Sequence, residues 1–367
     1  MKKTFLRTIF TVSVMALMVT FSSCKEKENE PVNNNNNTET EEEVSVETPR
    51  SLVIGSDGNL YVTCYYPRCV ARFDLAKKKF TGLCNLGNYQ PEGIAEIDNK
   101  LYIASGYITD ENNNYLYDNK LYIVDIDGFK LVDSVTVGRN PNKVKKLDDS
   151  HIVFNTLGNY ADDQGGTYVM DVTNKEIVKL DVTLYNFDVY NGEIYGYTNI
   201  YGADPLPFFK IDGSNHQASP MGITWTASDN PYGIAVNPNN GDIIVTSDGS
   251  YTATGDCYVF NNDGSVRSSG INVGNLPSKI AAISSNLLIV LNEGAWGANN
   301  ASISKVDVAA GTADNRFFDN ANGRGLGDVA QDLLLNGGNA YIAVSFSNSV
   351  EIMDITNGKS DRYSTTK

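Results

Sequence analysis

The chain of 367 residues contains only two histidines, five cysteines and two tryptophans. Those shortages exclude much chemistry before any pattern is sought. No CxxC pair exists, so a thiolate zinc site has no support. His151 falls in a strand-like segment and His216 in the polar turn DGSNHQ; neither belongs to an H-E-x-x-H pattern. A G-x-S-x-G elbow and a phosphate-cradling G-x-x-x-x-G-K-[ST] loop are both missing. Positive charge is scarce as well: 29 Lys and Arg stand against 44 Asp and Glu, for a net charge of −15. That balance disfavours nucleic acid and anionic lipid headgroups, which need a basic footprint. After Cys24 no apolar run is long enough to cross a bilayer as a helix. The expectation is a protein that binds rather than catalyses, with no metal and no resident cofactor. Acids in the loops (Asp110, Glu111, Asp162, Asp163, Asp204, Asp229, Asp248 and Glu293) leave carboxylate catalysis on polysaccharide as a third option.

What is present begins with an address. Lys2, Lys3 and Arg7 precede an apolar run from Ile9 to Thr20 that ends in Phe21-Ser22-Ser23-Cys24. The run is too short to span ~30 Å of hydrocarbon, and its flanks read as an export signal over residues 1–23. Cys24 after the small pair is similar to a bacterial lipobox cysteine, acylated and left as the mature N-terminus. Loss of Lys2, Lys3 and Arg7 takes the net charge from −15 to −18. Residues 24–48, KEKENEPVNNNNNTETEEEVSVET after the cysteine, are too polar to bury a core and read as a tether. The folded part is expected over 49–367.

A strand-like unit recurs along the remainder. Its second strand reads NLYVTCY (from Asn59), KLYIASG (Lys100), HIVFNT (His151), EIYGYT (Glu193), DIIVTSD (Asp242), NLLIVLN (Asn286) and AYIAVS (Ala340). The steps between aligned apolar positions, starting at Leu60, are 41, 51, 42, 49, 44 and 53 residues, the range of four-stranded propeller blades. A third strand follows each time and tends to end in Asp, at Asp74, Asp125, Asp171, Asp212, Asp307 and Asp354, with Asn261 in the fifth unit. Beyond the export signal no 3.6-residue period stands out. The predicted fold is all-β: a seven-bladed β-propeller of four-stranded antiparallel blades, because closing the ring buries both faces of every sheet.

Meander topology sorts the loops. Turns joining strands one to two and three to four share one end of the ring and consist of plain hairpin residues. Loops joining strands two to three, and each blade to the next, share the other end and carry the aromatics. The candidate ligand-binding residues are Tyr65, Tyr66, Arg68, Tyr89, Tyr107, Arg139, Asn140, Tyr160, Phe187, Tyr201, Tyr232, Tyr251, Trp296 and Arg324. Side chains with an apolar face, a polar tip and few rotors suit a recognition surface; packing between blades is the competing use. The DENNN and YADDQGG loops offer oxygen ligands but lack the spacing of a calcium loop. Cys64 and Cys69 bracket a tight hairpin, as a bridge or as two buried thiols.

NLYVTCY, LYIASGY and DIIVTSDGSY resemble the YVTN-type repeats of bacterial surface-layer-like propellers. LNEGAWGANNASIS (Leu291 to Ser304), GLGDVAQDLLLNGGNAYIAVSFSNSVEIMD (Gly325 to Asp354) and NPYGIAVNPNNGDIIVTSD (Asn230 to Asp248) are similar to the DUF5074 group of Bacteroidetes propeller lipoproteins, from about Arg50 onward. That resemblance implies lipid anchoring at Cys24 in the outer membrane, facing outward. It also implies capture of a corrinoid such as vitamin B12 for a TonB-dependent transporter, since some members of the group do this. Relatives often open on the LNEG unit, which is sixth here, so no corrinoid contact is carried over to a particular residue. A glycan- or protein-binding surface propeller is the alternative.

Overall fold

The structure is a computed structural model describing residues 44–198 and 207–364. Seven four-stranded antiparallel sheets follow one another along the chain, each built from four consecutive strands. Blade 1 runs from Glu47 to Asn85, blade 2 from Tyr89 to Thr136, blade 3 from Pro141 to Lys179 and blade 4 from Asn186 to Pro220. Blades 5, 6 and 7 run from Pro231 to Asn275, Pro277 to Asp314 and Ala330 to Ser364. First strands of successive blades contact one another, and the first strand of blade 7 contacts that of blade 1, so the ring closes. The sevenfold repeat read in the sequence is the architecture of the molecule.

Period-2 alternation explains why the second strands are hydrophobic throughout. Leu60 and Val62 pack toward blade 7, whereas Tyr61 between them packs toward blade 2. In blade 6, Ile289 and Leu291 face blade 7 while Leu288 and Val290 face blade 5. Both faces of each sheet are buried, so no polar face is needed. The core is accordingly seven clusters, one at each blade–blade interface.

The recurring Asp at the end of the third strand has a local cause. Asp74 Oδ1 accepts the N–H groups of Ala76 and Lys77, Asp171 Oδ1 those of Thr173 and Asn174, and Asp354 Oδ1 those of Thr356 and Asn357. Each carboxylate closes the turn into the fourth strand. On the same end, Asp98-Asn99 and Asn191-Gly192 take positive φ at both positions, as a two-residue hairpin requires.

One feature departs from the sequence reading. A six-residue helix, Phe317–Asn322, stands between blades 6 and 7, too short for periodicity to show; it buries Phe318 between them and ends at left-handed Gly323. Strand one of blade 1 starts at Glu47, and the preceding Val44 and Val46 pack between blades 1 and 7.

Candidate functional site

Two surfaces meet at one end of the ring: an axial channel and an aromatic rim. The channel is lined by the first strands, and their sequences share a pattern. Pro-Arg-Ser-Leu (from Pro49), Pro-Glu-Gly-Ile (Pro91), Pro-Asn-Lys-Val (Pro141), Pro-Tyr-Gly-Ile (Pro231) and Pro-Ser-Lys-Ile (Pro277) occupy the same place in five blades. In each, three residues of the first strand oppose two of the second; Pro49 pairs with Cys64 but Leu52 with Val62. Blade 7 repeats the bulge at Ala330 to Leu333 without the proline. A bulge twists the strand and redirects side chains. Here it turns Arg50, Glu92, Asn142, Tyr232, Ser278 and Gln331 to the axis, where with Asn186 of blade 4 they line a channel of about 670 Å³.

Bulging exposes a backbone N–H, and three blades satisfy it with the same device. Thr63 Oγ1 accepts from Ser51 N (3.0 Å) and donates to Glu92 O of blade 2 (2.9 Å). Asn155 accepts from Lys143 N (3.0 Å) and donates to Tyr185 O at the start of blade 4 (3.0 Å). Thr246 Oγ1 accepts from Gly233 N and donates to Pro277 O of blade 6. One buried polar side chain thus shapes its own inner strand and clasps the next blade.

Four of the five cations in the channel are paired with carboxylates. Near the rim, the Arg50 guanidinium donates to Glu92 Oε2 at 3.0 Å and to Gln331, and lies 4.7 Å over the Tyr65 ring. Tyr65 donates to Glu92, and Gln331 Nε2 donates to Glu293 Oε2 at 3.1 Å. Burial pushes the Glu293 carboxyl above its ordinary range against the pull of Ser278, Arg50 and Tyr232. Deeper, Lys145 pairs with Asp188 and Lys279 with Asp332. Each of those carboxylates also accepts a backbone N–H from the following blade, Asp188 from Val236 and Asp332 from Leu52.

Above the channel stands the rim. Eight aromatic side chains are exposed among the described residues: Tyr66, Tyr115, Tyr117, Tyr160, Tyr185, Tyr251, Trp296 and Phe346. All eight belong to loops between strands two and three or between blades, or to the strand ends beside them. Tyr107 links Tyr115 and Tyr117 with ring centroids 6.4 and 5.2 Å away, and Arg68 lies 5.9 Å over Tyr115. Tyr232, which lines the channel, meets Tyr251 edge-on at 6.2 Å. On blades 6 and 7, Trp296 and Phe346 pack edge-on at 6.1 Å. Burial, with neighbouring tyrosines and Glu92 or Glu293, raises several of these phenols, Tyr107 to about 12, so these tyrosines stay neutral.

The residues expected from the sequence divide into groups. Tyr66, Arg68, Tyr107, Arg139, Tyr160, Tyr251 and Trp296 lie on the rim, and Tyr65 and Tyr232 face the channel mouth. Tyr89 is half-buried, stacked on Tyr122 at 4.1 Å. Asn140 is buried and braces the rim loops: its N–H donates to Asp118 O and its carbonyl accepts from Leu157 N. Two residues do not join the rim. Phe187 is wholly buried between blades 3 and 4, because blade 4 lacks the bulge and strict alternation sends Asn186 and Asp188 to the axis and Phe187 away from it. Arg324 is held by Glu351 at 2.8 Å, beside Arg362 on the same carboxylate, and lies over Phe318. Tyr201, Asp204, Cys24 and the segment before residue 44 lie outside the described residues.

Of the acidic loops, Asp110 caps its own turn through Asn112 N and Asn114 N, and Asp162 accepts from Asn159. No cluster of three His, Cys, Asp or Glu side chains suited to a metal occurs among the described residues. Cys64 and Cys69 oppose each other directly across strands, buried and unbridged. The polar channel was missed from the sequence, although its signal was visible: polar or charged residues in the one or two places after proline, in strands that otherwise read as buried. Phe346 was missed because its SFSN loop resembles an ordinary turn.

No protein-family model matches the chain, and no curated protein matches it. Solved structures do. Hydrazine synthase of Kuenenia stuttgartiensis is similar at a TM-score of 0.63 and 16% identity, over 88% of this chain and 100% of that one. The computationally designed Ika8 protein aligns at 0.58 and 8%, over 89% of each chain. Virginiamycin B lyase of Staphylococcus aureus aligns at 0.57 and 12%, over 82% of this chain and 94% of its own. At such identities the likeness is one of fold.

Proposed function

We propose that this chain is a surface lipoprotein that captures an amphipathic ligand on the rim without transforming it, the ligand being a corrinoid handed on to a TonB-dependent outer-membrane transporter. The observation that carries the reading is the confinement of all eight described exposed aromatics to one end of the ring. Leaving that much apolar surface in water on one face marks an interaction site rather than chance scatter. A broad ligand with amide arms suits tyrosine faces interleaved with Arg68 and Arg139. In this reading Cys24 is acylated, the acidic tether lifts the ring off the membrane, and the rim faces outward.

Binding without turnover is supported by the position of the histidines. His151 follows the turn into strand two of blade 3, with Nδ1 on Asp148, and His216 sits in the turn after Asp212. Both are at the end opposite the rim. Neither imidazole is therefore placed to act as a base on a ligand at the rim.

Calorimetric titration with cyanocobalamin tests the reading. Saturable heat that weakens by about 30-fold in Trp296→Ala or Tyr160→Ala, the ~2 kcal/mol of an aromatic hot spot, is the expected result. Absence of heat and of co-elution at micromolar concentration sinks the corrinoid; binding to oligosaccharides by the same rim residues would then establish the glycan alternative. Loss of membrane fractionation in Cys24→Ala tests the anchor.

A further inference from the structure

One lysine in the channel has no counter-charge among the described residues. Of the five cations that line it, Arg50 holds Glu92, Lys145 holds Asp188, Lys146 holds Asp149 and Lys279 holds Asp332. The fifth, Lys143, donates to the neutral Oδ1 of Asn186 at 2.7 Å, and its ammonium lies 5.2 Å from the centroid of the Phe187 ring. An ammonium has three donors, so two point to other space. Lys143 and Lys279 hold equivalent places in blades 3 and 6, each two residues after the first-strand proline, on well-separated arcs of the ring. The ionised groups felt at Lys143 are Lys145 and Lys279, which repel it, and Asp188 and Asp332, which are already engaged by those two lysines and by backbone N–H groups. Burying a cation without a partner is costly, and an arriving anion would supply the partner that Lys143 lacks.

We infer that the channel holds an oxyanion site, in which Lys143, with Lys145 on its own strand and Lys279 across the ring, takes the phosphate or carboxylate group of a small molecule entering from the rim. The free volume of about 670 Å³ holds such a group with room for the body of a small ligand. Asn142 and Ser278, on the same strands as Lys143 and Lys279, offer further donors to the channel. The inference does not depend on what the aromatic rim binds. It concerns a charge inside the ring, and corrinoid capture and oxyanion binding can fail separately.

The test uses the full chain, with inorganic phosphate and with succinate as separate probes at constant ionic strength. The rate of acylation of each lysine by an amine-reactive ester, read peptide by peptide, reports the Lys143 amine directly. Phosphate, succinate or both should slow Lys143 acylation by at least about tenfold, since an anion favours the protonated form, and leave exposed Lys175 unaffected. The more protective probe names the anion class. Calorimetric heat with that probe should vanish in Lys143→Met and persist in Lys175→Met. Unchanged Lys143 reactivity with both probes overturns the site, as does equal heat from Lys143→Met and the unaltered chain. The labelling arm needs no variant, so a Lys143→Met chain that misfolds does not stall the test.

Discussion

At the scale of single residues, Lys143 is held without a carboxylate partner among the described residues. Burial, together with the ammonium charges of Lys145 and Lys279, holds its amine well below the ordinary lysine range. A folded-state value below the unfolded one means that stability rises with pH from the folded value up to the ordinary value of about 10.4. Lys143→Met should abolish that alkaline gain in anion-free buffer and raise Tm at pH 7, by about 2 °C for each kcal/mol relieved. Thermal unfolding between pH 7 and 10.5 measures both effects. The cysteines have the opposite character. Burial pushes the Cys84 thiol up to about 11 and that of Cys257 up to about 12, and Cys64 rises through burial and its neighbour Cys69. None is a reactive thiolate at neutral pH. All four should resist Ellman's reagent in the native ring and react on unfolding; a count of two after unfolding would show that Cys64 and Cys69 had been bridged.

Between residue and ring, the working element is the bulged first strand with the polar residue that serves it. Thr246 is fully buried, with one bond to the bulge of its own blade and another to the carbonyl of Pro277. Thr246→Val keeps the shape and strands the Gly233 N–H, a loss of about 1–3 kcal/mol for an unsatisfied buried donor. Urea denaturation should show a lower midpoint with an unchanged slope. Strand identities and turns were legible in advance, because alternation, β-branched residues and Asp-capped turns are local signals. The bulge was not, since an extra residue in one strand is defined only by its partner. It is also why Phe187 was misplaced: the unbulged blade 4 turns by one residue what the other blades present to the axis.

At the scale of the whole molecule, the ring closes, among the described residues, without exchanging a strand between its ends. Blade 7 meets blade 1 through Asp332, which accepts Ser51 Oγ at 2.7 Å and Leu52 N at 2.8 Å, through Asn348 to Thr48 N, and through Ser345 to Pro49 O. Val46 and Val44 fill the apolar part of this seam. Asp332→Ala removes two hydrogen bonds across the seam and leaves Lys279 unpaired, so a loss of about 3 kcal/mol is expected, larger than for the exposed pair Lys175–Asp133. Burial by itself raises Asp188 and Asp332, yet Lys145 and Lys279 outweigh it and hold both carboxyls below the ordinary range. Their contribution is therefore complete above about pH 4 and is lost as pH falls through the lower folded values. Acid unfolding should begin there, and Asp332→Asn should flatten that limb of the stability profile.

The amino-acid sequence alone determined the number of blades, the order of their strands and the end of the ring that carries the aromatics. Those properties follow from periodicity and from turns closed within a few residues, which need no knowledge of distant partners. Only the tertiary structure decided which polar side chains reach the axis, which cation there lacks a carboxylate, and that Arg324 belongs to Glu351 instead of the rim. Each of these depends on groups from different blades meeting across the ring. Such meetings are set by bulges and closure, to which a linear pattern is blind.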